Sequence, residues 1–123
     1  MLDPWTIEIT DSSGEKQEIT GKNIILATGA RPFVPPINGL ADVNFLTSDT
    51  IWERLSSYDA PPRRVVVVGG GPIGCELSQA LAALGVGVSL VEVSDGILAR
   101  EDPDVGLLVS EQMEKDGVSI LPG

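Results

Sequence analysis

Hydrophobic and polar positions change rhythm twice along this chain. From Trp5 to Thr10 the stretch WTIEIT alternates, with Trp5, Ile7 and Ile9 on one face and Thr6, Glu8 and Thr10 on the other. A period of two predicts a half-buried strand. Asp11-Ser12-Ser13-Gly14 is turn chemistry, and residues 17–20 read as the returning strand of a hairpin. Residues 23–27 (NIILA) form a short apolar run ending at Thr28-Gly29, which reads as a buried strand. Pro32, Pro35 and Pro36 stop regular structure, so residues 31–47 read as a linker. Ser48 or Asp49 is expected to cap a short helix through Leu55, with Ile51, Trp52 and Leu55 at helical spacing. Residues 59–62 break the chain again.

From Arg63 the rhythm becomes β-α-β-α-β. Residues 65–68 are four consecutive valines and predict a buried strand. Residues 72–84 predict a helix with Ile73, Leu77, Ala80, Leu81 and Leu84 in one stripe. Pro72 suits a first helical position and Gly85 a helix stop. Residues 86–93 predict the second strand. Residues 103–116 predict a second helix with Val105, Leu108, Val109 and Met113 inward, ended by Gly117. Residues 118–121 start a third strand. The fold class is therefore α/β, a partial Rossmann-type parallel sheet preceded by a β-hairpin and a further strand.

Composition narrows the function classes. At 123 residues and 42% hydrophobic, the chain can bury one modest core. Its net charge of −10 is split evenly about Arg63, which excludes an acidic tail and argues against a nucleic-acid partner. No apolar run reaches membrane-spanning length, and no basic segment leads into an apolar one at the start. With a single cysteine, Cys75, no internal disulfide can form, and a cytoplasmic location is expected. The chain has no histidine, so the commonest general base and metal ligand are missing. No metal site and no catalytic residue are expected.

The candidate chemistry lies in VVVVGGGPIGCELSQALAALG. Gly69, Gly71 and Gly74 match G-x-G-x-x-G between a strand and a helix. Gly69 would permit the tight turn, Gly71 the close approach of a pyrophosphate, and Gly74 close helix–strand packing. The helix N-terminus adds free N–H groups and a positive dipole end. Glu92, about 20 residues further on at the end of the second strand, is placed to accept from ribose hydroxyls. It would repel a 2′-phosphate, and residues 93–99 contain no Lys or Arg to clamp one. NAD(H) is favoured over NADP(H). The bland alternatives are a purely structural glycine turn and an exposed strand-end charge. A nucleotide-binding loop of the G-x-x-x-x-G-K-[ST] type is absent, and a methyltransferase-type ligand stays open as a minor alternative.

Taken together, GGGPIGCEL, LVEVSDGIL and the earlier ILATGARP resemble the flavin-dependent pyridine nucleotide–disulfide oxidoreductases, in the mercuric reductase and dihydrolipoamide dehydrogenase manner. The resemblance covers nearly the whole chain. It implies that the strand ending at Thr28-Gly29 belongs to a FAD domain and that Thr28 and Gly29 line a FAD site. It implies an NAD site lined by Gly69, Gly71, Ile73, Gly74 and Glu92. Glu76 matches the glutamate of the family's G-x-G-x-x-G-x-E and would lie near the nicotinamide end; its other reading is an exposed first-turn carboxylate favoured by the helix dipole. On this division residues 1–47 are a partial FAD-domain segment with linker, and residues 48–123 a partial NAD(H)-binding Rossmann domain.

The chain also departs from the family pattern. Nothing before Ile24 supplies a FAD-binding glycine motif, Cys75 stands alone where the family uses a C-x-x-x-x-C pair, and there is no acid–base histidine. Cys75 reads as a packing residue. The chain thus reads as an internal fragment of a larger flavoenzyme. It is expected to be inactive alone and to form a homo-oligomer that covers its exposed edge. The competing reading is a stand-alone nucleotide-binding or oligomerising module without catalysis.

Overall fold

The computed structural model describes residues 1–123, which divide into two compact units, Met1–Phe33 and Val34–Gly123. The division falls inside the proline-bearing stretch read as a linker.

In the first unit, β1 (Thr6–Thr10) and β2 (Lys16–Thr20) form an antiparallel hairpin, with Ile7 opposite Ile19 and Glu8 opposite Glu18. The turn is built by Asp11, whose Oδ1 accepts from the Ser13 N–H at 2.8 Å, the Ser13 hydroxyl at 2.6 Å and the Glu15 N–H at 2.9 Å. Gly14 completes it at φ 85°. Lys16 Nζ closes the ladder on Glu8 at 3.0 Å. Two expectations fail in this unit. Trp5 and Ile9 are 60% and 44% exposed, because nothing in the unit covers their face. Residues 23–27 are not a strand, and Ile25 is 89% exposed. The hairpin pairs only with itself, so this apolar run finds no ladder for its backbone groups.

The second unit carries α1 (Ile51–Ser56), β3 (Arg64–Val68), α2 (Pro72–Ala83), β4 (Gly87–Val91), α3 (Pro103–Lys115) and β5 (Val118–Leu121). The N-cap of α1 is Thr50 rather than Ser48 or Asp49, and its hydroxyl accepts from the Thr47 N–H instead of capping the helix. The three strands lie parallel in the order β3-β4-β5, with Val65 beside Val88 and Val88 beside Val118. Spatial order follows chain order, so right-handed crossovers put α2 and α3 on one face. That face buries Val88, Leu90 and Val118 against Cys75, Leu81 and Met113, with Val65, Val67 and Ile120 partly buried around them.

The valine strand is buried on one side only: Val66 and Val68 point to the uncovered face and are 64% and 51% exposed. Leu81 of α2 and Val109 and Met113 of α3 face the core as expected, but both helices are rotated from the rest of the expected stripes. α2 turns Cys75, Ser78 and Leu81 inward, leaving Ile73, Ala80 and Leu84 exposed. α3 buries Gly106 and Met113, while Val105 and Leu108 face out. Small residues at the seams let both helices lie close to the sheet, and close packing outweighs the burial of longer side chains. α2 ends as expected, with Gly85 at φ 83°, and Gly117 at φ 94° follows α3. No helix is long and apolar enough to cross a membrane.

Candidate functional site: the β3–α2 glycine turn

Gly69, Gly70 and Gly71 carry the chain from β3 into α2. The Gly69 N–H donates to the Val91 carbonyl at 2.8 Å, anchoring the turn at the end of β4. Gly69 then takes φ 109°, a backbone region closed to side chains. Gly71 is the extended N-cap of α2, and a Cβ there would meet no atom within 4 Å, so the ground in front of it is open. Gly74 is the opposite case: a Cβ would collide with the Gly69 carbonyl oxygen. The three glycines differ in their surroundings: a left-handed backbone at Gly69, open space at Gly71 and close backbone packing at Gly74.

No side chain caps α2. Pro72 has no N–H, and the first helical bond runs from the Cys75 N–H to the Gly71 carbonyl at 3.0 Å. The first-turn N–H groups of Ile73 and Gly74 are left without helical partners. They form the positive end of the helix dipole, where an anion is stabilised.

Glu92 follows β4 and is half-buried. Its Oε2 accepts from the Gly70 N–H at 2.6 Å and its Oε1 from the Ser94 N–H at 2.9 Å. These bonds, the Ser94 one first, hold the carboxyl below the ordinary glutamate range, so the group is an oriented anion. A carboxylate has about four lone-pair positions, so capacity remains for further donors.

Gly70, Ser94, Ile97 and Leu98 belong to this arrangement and were not singled out in the sequence. Gly70 is buried, and a Cβ on it would come within 2.8 Å of Ile97 Cγ2. Its place in the GGG run was the only available signal, and the motif treats that position as free. Cys75 is buried and its Sγ donates to the Gly70 carbonyl at 3.4 Å. Burial first, then Glu76 and Glu92, push the thiol up, away from the reactive thiolate.

The turn thus brings together Gly69, Gly71, Gly74 and Glu92. Ile73 is 60% exposed at the start of α2. Glu76 lies beyond the first turn, which holds no acidic residue, so the first-turn dipole reading of Glu76 does not apply. Glu76 and Ile73 instead line a shallow cleft of about 290 Å³ with Ser48, Trp52, Leu77 and Ala80. Thr28 and Gly29 belong to the first unit, where both are exposed and Gly29 has φ 75°.

A strand, a glycine turn and a helix within a parallel β-α-β-α-β layer define a Rossmann-type α/β protein. A family model described as pyridine nucleotide-disulphide oxidoreductase matches residues 3–123, and the chain belongs to that family. It is 33% identical over 122 residues to mercuric reductase of Staphylococcus aureus, covering 99% of this chain and 21% of that protein. It is 33% identical over 121 residues to dihydrolipoyl dehydrogenase of Corynebacterium glutamicum, covering 98% and 25%. Among solved structures it is similar to the Cu(II) complex of the HOCl-induced flavoprotein disulfide reductase of Escherichia coli. There the TM-score is 0.69 and the identity 28%, over 99% of this chain and 27% of that one. The water-forming NADH oxidase of Lactobacillus brevis, solved bound to NADH, shares the fold with a TM-score of 0.61 at 22% identity, over 98% and 28% of the two chains. The chain spans a fifth to a quarter of the length of the two curated relatives.

Proposed function

We propose that the β3–α2 turn is the NAD(H)-binding element of a flavin-dependent oxidoreductase of this family. The observation that carries the reading is an open Gly71 beside a fixed, ionised Glu92 at the ends of adjacent parallel strands. Gly69 and Gly74 hold the turn against the helix. The N–H groups of Gly71, Ile73 and Gly74 receive the pyrophosphate, and Glu92 accepts from the adenosine ribose hydroxyls with its remaining lone pairs. The same fixed charge disfavours a 2′-phosphate, so NAD(H) is preferred over NADP(H). Ile73 and Glu76 lie toward the nicotinamide end. When bound, the nicotinamide cofactor supplies a hydride for a flavin; Thr28 and Gly29 of residues 1–47 contribute to the FAD site, and residues 48–123 to the NAD(H) domain. The chain by itself lacks the FAD glycine motif and the redox cysteine pair, and is inactive alone. A cytoplasmic setting belongs to the same reading.

The second reading, an associating module without catalysis, is favoured by the uncovered sheet face, where Val66 and Val68 are exposed.

Calorimetric titration of the chain and of Glu92→Gln with NADH and NADPH tests the first reading. NADH should bind the parent chain at least about tenfold more tightly than NADPH, a difference of about 1.4 kcal/mol, and Glu92→Gln should narrow the gap. Equal affinity for the two in the parent chain contradicts the role of Glu92. NADH oxidation by the purified chain with added FAD contradicts inactivity.

A further inference from the structure

Resting on the dinucleotide reading of the turn, we propose that residues 94–98 act as a strap that aims the Gly71 N–H at the ligand phosphate, with Leu98 as the positioning residue. The Leu98 N–H donates to the Gly70 carbonyl at 2.7 Å. That carbonyl and the Gly71 N–H belong to one planar trans peptide unit, so they point in opposite directions. Holding the oxygen against the strap turns the Gly71 N–H away from it. The Gly71 N–H has no acceptor within the protein, and the space at Gly71 is open. The Gly70 N–H is fixed as well, on Glu92 Oε2 at 2.6 Å. The Cys75 Sγ adds a longer bond to the Gly70 carbonyl at 3.4 Å, so the shortest bonds to both peptide units flanking Gly70 come from the strand end and loop that follow β4.

The strap is held in turn from outside. Ile97 is 4% exposed and lies against Gly70, and its carbonyl oxygen would sit 3.0 Å from a Cβ on Gly106 of α3. The loop is thus confined between two glycines, one in the turn and one in a helix. Leu98 has φ 54°, the one non-glycine residue of the chain in the left-handed region. A leucine adopts it rarely, and packing around it must hold it there. In that conformation its N–H meets the Gly70 carbonyl and its own carbonyl accepts from the Glu101 N–H at 2.8 Å.

Three variants of the 123-residue chain test the strap, each measured for NADH affinity by calorimetry, for its denaturant midpoint, and for amide exchange at Gly70. Leu98→Pro removes the N–H and cannot take the positive φ. Gly106→Ala pushes on Ile97 from a distance and leaves the turn's own residues unchanged. Leu98→Gly keeps the N–H and relieves the backbone. The strap predicts NADH binding about tenfold weaker in Leu98→Pro and at least about threefold weaker in Gly106→Ala, with faster exchange at Gly70 in both. It predicts parent-like binding in Leu98→Gly. Parent-like affinity and exchange in Leu98→Pro and Gly106→Ala overturn the strap and leave the dinucleotide reading standing. If Leu98→Pro does not fold, Gly106→Ala decides. A folded parent chain that binds no NADH overturns the dinucleotide reading instead. In that case, unchanged Gly70 exchange in the variants also removes the strap, and faster exchange keeps its structural half.

Discussion

Three glycines within six residues do unlike work, and substitution by alanine separates them. At Gly74 a methyl group meets backbone that cannot step aside, since the Gly69 carbonyl is itself fixed by the turn. Gly74→Ala should lower stability by about 3 kcal/mol or abolish folding, read as a fall in denaturant midpoint. At Gly71 the backbone is extended and the space empty. Gly71→Ala should stay within about 1 kcal/mol of the parent in stability while losing NADH affinity. Glu92 makes the turn sensitive to acid. Its folded pKa is depressed by the Ser94 and Gly70 N–H groups, so its contribution is complete above the unfolded value and is lost as pH falls through the folded one. Unfolding measured across the acid range should show the parent chain losing stability below the ordinary glutamate range. Glu92→Gln should give a flatter profile there. The backbone demands at Gly69 and Gly74 were legible in the sequence because each excludes a side chain, while the demand at Gly71 comes only with the proposed ligand. Gly70, Ser94 and Leu98 were not legible, because their roles rest on backbone atoms that every residue carries.

The elements repeat the lesson with a different cause. β5 falls on the residues its pattern predicts, and α2 and α3 differ from theirs by one residue at the C-terminus, since Pro72, Gly85, Pro103 and Gly117 mark their ends. Their faces follow the expectation in part: Leu81, Val109 and Met113 lie inward, while Ile73, Ala80, Leu84, Val105 and Leu108 do not. Hydrophobic periodicity follows the largest side chains, whereas α2 approaches the sheet through Cys75, Ser78 and Leu81. The expected strand at residues 23–27 fails for want of a partner, which no local pattern reports. The rotated face of α2 carries a testable consequence. Ser78 is fully buried and its hydroxyl has no hydrogen-bond partner. Ser78→Ala removes an unsatisfied polar group and raises helix propensity, so it should stabilise the chain by about 1 kcal/mol, seen as a higher thermal midpoint. A lower midpoint would mean that the hydroxyl has a partner in solution.

For the whole molecule, the parallel layer of the second unit has helices on one face only. Val66, Val68, Val91 and Leu121 stand on the other, between 37% and 64% exposed. A parallel sheet is ordinarily covered on both faces. Association of copies of this chain across that face is the expected outcome, opposed by a net charge of −10. Light scattering should therefore show a mass above the monomer that increases with salt as repulsion is screened. Val66→Lys with Val68→Lys should reduce it. A monomer at all salt concentrations would contradict the expectation.

On the proposed reading, the β3–α2 turn, and not the cleft beside Trp52, receives the dinucleotide phosphates. Backbone amide NMR of the chain during NADH addition tests it residue by residue. Saturable shifts are expected at Gly70, Gly71, Ile73, Gly74 and the Glu92–Ser94 segment. Shifts confined to Ser48, Trp52 and Ala80, or none in a folded chain, would contradict it.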